Sequence, residues 1–391
     1  STSNAQPLAA HFSAPVRVTA PEGRGYVRWR LFAVSSDGRR FTLFQPEIAV
    51  VSANRADVAD AHDAAVRGFV GNGAGYAWSR GRFGRTYRDG GDGVAEARYL
   101  ESVELAVRSS IAGAEWAFTT RRPDALFTYL SVGDGVDHDT WAEALPVPPV
   151  ARDTARVNAA RALRAAVWGL ADRHLAALRR LAAARGNTAV IVSGDHGMRA
   201  TWKVLRINAA LAAAGLVVLD STGRVDPRRS LAASPAGYWI NVNTTSRGGP
   251  VPADSVAEVV DRAAAALLAL HDANGAPVLR GVHRPTPNDS LGIGGPAGGD
   301  LYWDLAEGWR AVADARGRVL DDDRFVGGHH GFTSTDADMR TALCLWAPGV
   351  APRRIATGRV IDVVPTALEW LGAAPPKDAT GTSRLSALLG K

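Results

Sequence analysis

Residues 188–198 have the sequence Thr188-Ala-Val-Ile-Val-Ser-Gly-Asp-His-Gly-Met198. The run 188–193 is rich in β-branched residues and is typical of a buried strand. Gly194 ends this run, and the polar pair Asp195 and His196 follows at once. In open α/β sheets, ligands bind in the crevice beyond the carboxyl ends of the strands. The stretch therefore indicates an α/β fold with a functional loop directly after this strand.

Strand and helix patterns alternate on both sides of this stretch. Strands are predicted at residues 125–132, 188–193, 217–219, 238–242, 278–282 and 342–346. Helices are predicted at residues 94–118, 152–185, 204–214, 256–271 and 360–371. This alternation predicts an α/β fold with a mostly parallel central sheet that is flanked by helices.

The N-terminal part of the chain has a different character. Residues 26–54 contain short apolar runs separated by a Ser-Asp-Gly turn at residues 36–38, a pattern that is typical of hairpins. We therefore divide the chain into two parts. Residues 1–94 form a β-rich insertion or partial N-terminal part, and residues 95–391 form the α/β core.

Two further histidine clusters lie on either side of the first. Asp134 and His138 follow the predicted strand 125–132 and are four residues apart, so a helical turn would place both on one face. The third cluster is Gly328-His-His-Gly-Phe332, in which His330 precedes a strand and must be returned to the same crevice by a loop. Carboxylate oxygens and imidazole nitrogens suit divalent transition metals, most naturally Zn²⁺. The predicted metal ligands are Asp134, His138, Asp195, His196 and His330.

The distribution of positive charge along the chain disfavours nucleic acid as a partner. The formal net charge is +6, and lysine occurs only at positions 203, 377 and 391. The arginines are spread along helical patterns such as residues 152–185, with no basic block interleaved with aromatics, which disfavours nucleic-acid binding.

No stretch approaches the roughly 18 apolar residues that a membrane span requires. The single cysteine, Cys344, lies in an apolar run and is expected to be a buried thiol.

The three clusters resemble motifs of the alkaline phosphatase superfamily, specifically its type I phosphodiesterase/nucleotide pyrophosphatase branch. That branch has Asp with His four residues on, then a strand ending in Ser-Asp-His-Gly-Met, and later Gly-x-His-Gly-Tyr/Phe. In this chain the motifs are Asp134/His138, Ser193–Met198 and Gly328–Phe332. The segment Ile361–Gly372 resembles the family's terminal Asp-x-x-Pro-Thr helix. The likeness covers roughly residues 124–390 and implies an alkaline-phosphatase-like fold.

The resemblance implies a metal-dependent hydrolase of phosphate esters with two divalent ions, zinc being the expected metal. Asp134, His138 and His330 would hold one ion. Asp195 and His196 would hold the other, together with an Asp and a Thr or Ser nucleophile from an N-terminal segment. Two ions clamp the attacking and leaving oxygens and stabilise charge on the transferring phosphoryl group. Residues 95–391 are thus expected to form a metal-binding hydrolase core, and the substrate a small anionic phosphate ester.

The sequence departs from the family where the nucleophile is expected. The family begins with a strand ending in Asp-Gly and a Thr-x-Pro-Asn-like stretch, and neither occurs before residue 124. Thr2 and Ser3 offer hydroxyls without the surrounding landmarks, so the sequence does not identify the catalytic residue. We expect that the start of the domain was cleaved or deleted, or that a second chain supplies it. Gly194, within the second motif, and His329, beside His330, are smaller departures.

Other interpretations stay open. The chain could be a non-catalytic metal-binding or substrate-binding remnant of the fold, or another superfamily member such as a phosphomonoesterase or phosphonate hydrolase. A sulfatase is disfavoured because Cys344 lacks a Cys/Ser-x-Pro-x-Arg context. For substrate binding, Arg199 lies beside a metal-binding loop and could neutralise a phosphate. Trp141 could stack on a base or aryl group, with core packing as its alternative role.

Overall fold

The computed structural model describes residues 12–390, apart from residues 21–22, 49, 69, 287–290 and 296. Its helices are α1 Ala56–Val66, α2 Gly75–Ser79, α3 Val94–Trp116, α4 Val132–Thr140, α5 Thr154–Arg185, α6 Ile207–Ala213, α7 Val256–Leu268, α8 Val363–Trp370 and α9 Leu385–Leu389. Its strands are β1 Val16–Ala20, β2 Gly23–Val27, β3 Arg30–Val34, β4 Phe41–Phe44, β5 Val190–Ser193, β6 Arg199–Arg206, β7 Ala232–Ala233, β8 Asn241–Val242, β9 Leu279–His283, β10 Tyr302–Leu305, β11 Gly308–Val312, β12 Leu320–His329 and β13 Leu343–Trp346.

The chain divides into two compact units. Unit 1 contains the described residues up to Val136, together with Asn158–Gly194 and the residues from Ala342 onward. Unit 2 contains Asp137–Val157 and Asp195–Thr341. One division falls inside α4, which is a single unbroken helix, so α4 is described as a whole. The predicted boundary between residues 94 and 95 stays a prediction.

Unit 1 is organised around the long helices α3 and α5. The buried residues Tyr99, Val103 and Val107 of α3 recur every four residues, which is the spacing of one helix face. They join Leu163 and Val167 of α5 in one hydrophobic core. Strand β5 pairs antiparallel with β13 in the same unit. The histidine motif at residues 193–198 therefore begins where a paired strand ends.

Unit 2 contains a three-stranded sheet in the order β11-β6-β12. Strand β11 runs parallel to β6, and β12 runs antiparallel to it. Helix α7 buries Val259, Ala263 and Leu267, spaced four residues apart, in the hydrophobic core of the unit. Leu205 of β6 and Leu301 are fully buried in the same core. Leu205 pairs with Leu320, whereas two of the histidine motifs lie at the opposite end of this strand pair, where Arg199 pairs with His329.

The α/β class is as predicted, but a mostly parallel central sheet is not confirmed. Among the named strand pairs of the described residues, β6–β11 is parallel and the rest are antiparallel. These strands form sheets of two or three strands. Alternating strands and helices predict a parallel sheet only when each helix connects two neighbouring strands. In this chain β6 pairs antiparallel with β12, which follows it by more than a hundred residues.

Three predicted elements were wrong. Residues 217–219 form no strand, and only Leu219 makes an isolated bridge, to Val225. Residues 125–131 belong to no strand in the structure, and the aromatic side chains of Phe127 and Tyr129 are exposed. Residues 204–214 were predicted as one helix, whereas β6 continues to Arg206 and α6 covers only Ile207–Ala213. Alanine-rich sequence favoured the helix, but pairing of β6 with two neighbouring strands outweighs local propensity there.

Cys344 is exposed, contrary to the expectation of a buried thiol. It lies on β13, and the apolar composition of this run predicts a strand but does not decide which of its side chains are covered. No helix in the described part of the chain is both long and apolar enough to span a bilayer.

The terminal Asp-x-x-Pro-Thr motif ties the C-terminal segment to α8. The fully buried carboxylate of Asp362 accepts hydrogen bonds from the Arg359 N–H at 2.9 Å, the Thr382 N–H at 2.8 Å and the Arg384 Nε–H at 2.8 Å. The Thr366 hydroxyl donates to the Asp362 carbonyl at 2.6 Å and accepts from the Arg384 N–H at 2.9 Å. Burial raises the pKa of Asp362, but the three donated hydrogen bonds and the Arg384 charge outweigh it and lower the pKa to about 2. The described contacts of this motif are structural.

Candidate metal centre

Helix α4 carries the first two predicted ligands. Asp134 lies in its first turn and His138 one turn further on, as their spacing predicted. The Nδ1 atom of His138 lies 2.9 Å from the Gly328 carbonyl oxygen. Because a carbonyl oxygen only accepts, Nδ1 must carry the proton and donate it. The lone pair of His138 is therefore on Nε2, the nitrogen available to a metal.

Glycines let β12 approach the backbone of α4 closely. A Cβ atom at Gly327 would lie 2.2 Å from the His138 carbonyl oxygen, and one at Gly328 would lie 2.5 Å from that of Asp137. Any larger residue would force the strand away from the helix. This close approach brings the His330 ring to 4.9 Å from the His138 ring, measured between centroids.

Asp134, His138 and His330 form one group of potential metal ligands. Each of them offers one ligand atom, and the three atoms lie within 4.8 Å of one another. This grouping rests on the continuity of α4, which carries Asp134 and His138 together. The loop after β12 does return His330 towards the residues of α4, as the sequence analysis required.

The second pair of predicted ligands follows β5. The Nδ1 atom of His196 donates to the Gly197 carbonyl at 2.9 Å, which again leaves the lone pair on Nε2. That Nε2 atom lies 3.6 Å from Oδ1 of Asp195. Donors around one tetrahedral zinc ion lie roughly 3.3 Å apart, given metal–ligand distances of about 2 Å. The separation of Asp195 and His196 is therefore compatible with one shared ion.

The rings of His196 and His330 stack on each other. Their centroids are 3.7 Å apart and their planes differ by 18°. An imidazole donates its lone pair in the plane of the ring, and these two planes are nearly parallel. One ion cannot lie in both planes, so the two rings do not donate to the same point.

A family-wide sequence model for the type I phosphodiesterase / nucleotide pyrophosphatase family matches residues 32–333, which is most of the chain. The chain belongs to this family. The family consists of phosphoric ester hydrolases that act on small phosphate esters and are in general metal-dependent. No curated protein and no solved structure matches the chain.

The family match differs in extent from the resemblance seen in the motifs. It begins at residue 32, so it includes most of the segment interpreted as an insertion. It ends at residue 333, directly after the third histidine motif and before the Asp362 motif. The family match therefore includes most of the β-rich segment as well as residues beyond 124.

His329, the additional histidine next to the family motif, lies among aromatic rings. Its ring stacks on Tyr238 at 5.8 Å between centroids and lies 5.8 Å from each of the His138 and His330 rings. Burial, with smaller contributions from Arg310 and the two neighbouring histidines, lowers the pKa of His329 to about 3. His329 is thus a neutral imidazole that packs beside the family's motif residues.

Arg199 is buried, with only 4% of its surface exposed. Its guanidinium donates to Oδ2 of Asp336 at 3.1 Å and to the carbonyl oxygens of Leu305 at 3.1 Å and Ala306 at 2.6 Å. Burial lowers the pKa of Arg199, while the Asp336 carboxylate raises it. These contacts occupy the guanidinium within the protein, and substrate binding by Arg199 stays a prediction.

Trp141, Thr2 and Ser3 are the remaining predicted site residues. Trp141 follows α4 and is half-buried, and its role in substrate binding stays a prediction. Thr2 and Ser3, the candidate nucleophiles, lie outside the described residues.

Sequence reasoning missed a polar network next to the centre. His283 was interpreted as a residue without a special role, but its Nε2 atom lies 2.7 Å from Oδ2 of Asp304. The other carboxylate oxygen of Asp304 accepts from the Thr333 hydroxyl at 2.6 Å. Thr333 lies three residues after His330, and that closeness in sequence was the one signal available.

Proposed function

We propose that this member of the family is a phosphoric ester hydrolase that binds two divalent ions, with zinc as the metal. The observation that carries the proposal is the convergence of one carboxylate and two imidazoles, those of Asp134, His138 and His330, within 4.8 Å. This donor set matches the preference of zinc for nitrogen and carboxylate oxygen ligands. The Nδ1–H of His138, which donates to the Gly328 carbonyl, supports the fit because it leaves the lone pair of the ring on Nε2.

The second ion would be held by Asp195 and His196. The stacking of His196 on His330 supports separate ions, and the Nδ1–H bond of His196 fixes its tautomer as in His138. When bound, the two ions would supply positive charge that stabilises the transferring phosphoryl group. The protein's own contribution is to orient both imidazoles before substrate arrives, through the hydrogen bonds that their Nδ1 atoms donate to backbone carbonyls.

The proposed reaction also requires a nucleophile. A hydroxyl of Thr2 or Ser3, or one from a further segment or a second chain, would complete the centre. The substrate would be a small anionic phosphate ester, for which Arg199 and Trp141 remain candidate contacts.

A zinc measurement combined with an assay tests the proposal. We expect the metal-free protein to take up two equivalents of zinc on reconstitution and to hydrolyse p-nitrophenyl phosphodiesters only after reconstitution. His138→Ala should lose both an equivalent of zinc and the hydrolysis. The control is His271→Ala, because His271 also donates from Nδ1 to a carbonyl but is not a predicted ligand.

A second candidate function is a non-catalytic metal-binding remnant of the fold. It is favoured by the sequence before residue 124, which lacks the family's nucleophile motif. Zinc uptake without hydrolysis of monoesters, diesters or phosphonate esters would select this candidate. Absence of zinc uptake by the wild-type protein would contradict both.

A further inference from the structure

The loop that follows His330 is fastened to β10 by a buried hydroxyl. Thr333 is 9% exposed, and its hydroxyl donates to Oδ1 of Asp304 at 2.6 Å. The second oxygen of Asp304 is held by His283 at 2.7 Å. Both carboxylate oxygens therefore have fixed partners, and Asp304 cannot rotate without losing one of these bonds.

Arg199 makes further contacts to the same loop. Its guanidinium bridges the carbonyls of Leu305 and Ala306, directly after Asp304, to the carboxylate of Asp336. The cation also lies 4.4 Å from the centroid of the Phe332 ring. Contacts to Phe332, Thr333 and Asp336 thus hold the five residues from 332 to 336 in the loop after His330.

Arg199 also links this loop to the second histidine motif. It is the first residue of β6, three residues after His196, and it pairs with His329 across β6 and β12. Displacing the guanidinium would therefore shift both sides of the His196–His330 stack. The planar Arg199 guanidinium, which donates to three acceptors at once, resists such displacement better than the ammonium group of a lysine would.

We propose that Thr333, Asp304 and Arg199 are positioning residues that set the orientation of His330 and His196 for metal binding. This inference rests on the two-ion centre proposed above. Ligand sites tolerate errors of only about 0.5 Å, and loss of the groups that orient metal ligands typically weakens metal affinity 10–100-fold. None of the three residues needs to contact the metal or the substrate for this role.

Zinc affinity of purified variants, measured by competition with a chelating dye, tests the inference. Thr333→Val removes the hydroxyl at nearly constant volume, and we expect it to weaken zinc binding 10–100-fold. Thr333→Ser keeps the hydroxyl and should restore affinity close to that of the wild type. Arg199→Lys keeps the charge but loses the fork, so it should weaken binding to a similar extent.

Two matched controls separate positioning from general destabilisation. Thr366→Val removes another buried hydroxyl that donates at 2.6 Å, to the Asp362 carbonyl. Arg156→Lys removes the fork that Arg156 makes with the buried carboxylate of Glu143. Both should leave zinc affinity unchanged. Equal weakening by the controls would overturn the inference, and so would unchanged affinity in Thr333→Val and Arg199→Lys.

Hydrogen exchange of the metal-free protein distinguishes failure of this inference from failure of the proposed function. We expect amides of residues 329–336 to exchange faster in Thr333→Val than in Thr333→Ser. If the wild type binds zinc and the variants match it, positioning is refuted while the proposed function stands. If the wild type binds no zinc, the proposed function fails, and faster exchange would then show that the contacts serve stability alone.

Discussion

The imidazole rings of His196 and His330 lie face to face, with centroids 3.7 Å apart and an 18° angle between their planes. They belong to motifs more than a hundred residues apart, and each ring has a different set of neighbours. His330 groups with Asp134 and His138, whereas Nε2 of His196 lies near Oδ1 of Asp195. Parallel lone pairs in separate planes cannot converge on one ion, which is the geometric argument for the two ions that we propose.

The stacked geometry predicts that the two ions can be lost separately. We expect His196→Ala to retain one equivalent of zinc, held by Asp134, His138 and His330. His330→Ala should keep less than one equivalent, because its loss leaves the first ion with two protein ligands and removes the stacking partner of His196. Mass spectrometry of metal content after dialysis measures both values. Identical loss in the two variants would instead favour a single ion.

The contact between β12 and α4 predicts a strong effect of Gly327→Ala. The new Cβ atom would lie 2.2 Å from the His138 carbonyl oxygen, so either the strand or the helix must move. We expect destabilisation by roughly 2–4 kcal/mol and weaker zinc binding. Urea unfolding and zinc titration measure the two effects. The control is Gly281→Ala in β9, where a Cβ atom meets no other atom within 4 Å; an equally large effect there would contradict the explanation.

The buried carboxylate of Asp362 predicts a pH dependence of stability. Its pKa is lowered to about 2 in the folded protein, against about 3.9 in an unfolded chain. A lowered pKa contributes stability that is present above the unfolded value and is lost as the pH falls through the folded value. The free energy of unfolding should therefore fall between about pH 4 and pH 2.

Substitution isolates this contribution. Asp362→Asn should be about 2–3 kcal/mol less stable at neutral pH and should show a flatter pH profile in that window. Denaturant unfolding at several pH values provides the measurement. Asp378→Asn, at an exposed position, should retain the wild-type profile. A wild-type profile in Asp362→Asn would show that other groups control acid stability.

The parts of the fold that depend on helical periodicity were predictable. Helix α3 begins at Val94 and α5 ends at Arg185, as their repeating apolar positions indicated. Strand pairing was not predictable to the same degree. Residues 125–131 have strand-forming composition but no strand partner, while the end of β6 was assigned to the alanine-rich helix that follows it. A strand depends on hydrogen bonds to distant residues, which local composition does not encode.

The sequence by itself determined which chemical groups the centre contains and which family the chain resembles. Carboxylate and imidazole donors next to glycines define that chemistry because side-chain identity fixes the donor atoms. Only the tertiary structure decided the orientation of these donor atoms and the tautomers of the imidazole rings. The proton on Nδ1 of His138, the stacking of His196 on His330 and the burial of Arg199 all arise from contacts between residues far apart in the chain. Such contacts form when packing brings backbone carbonyls and rings together, so no local pattern contains them.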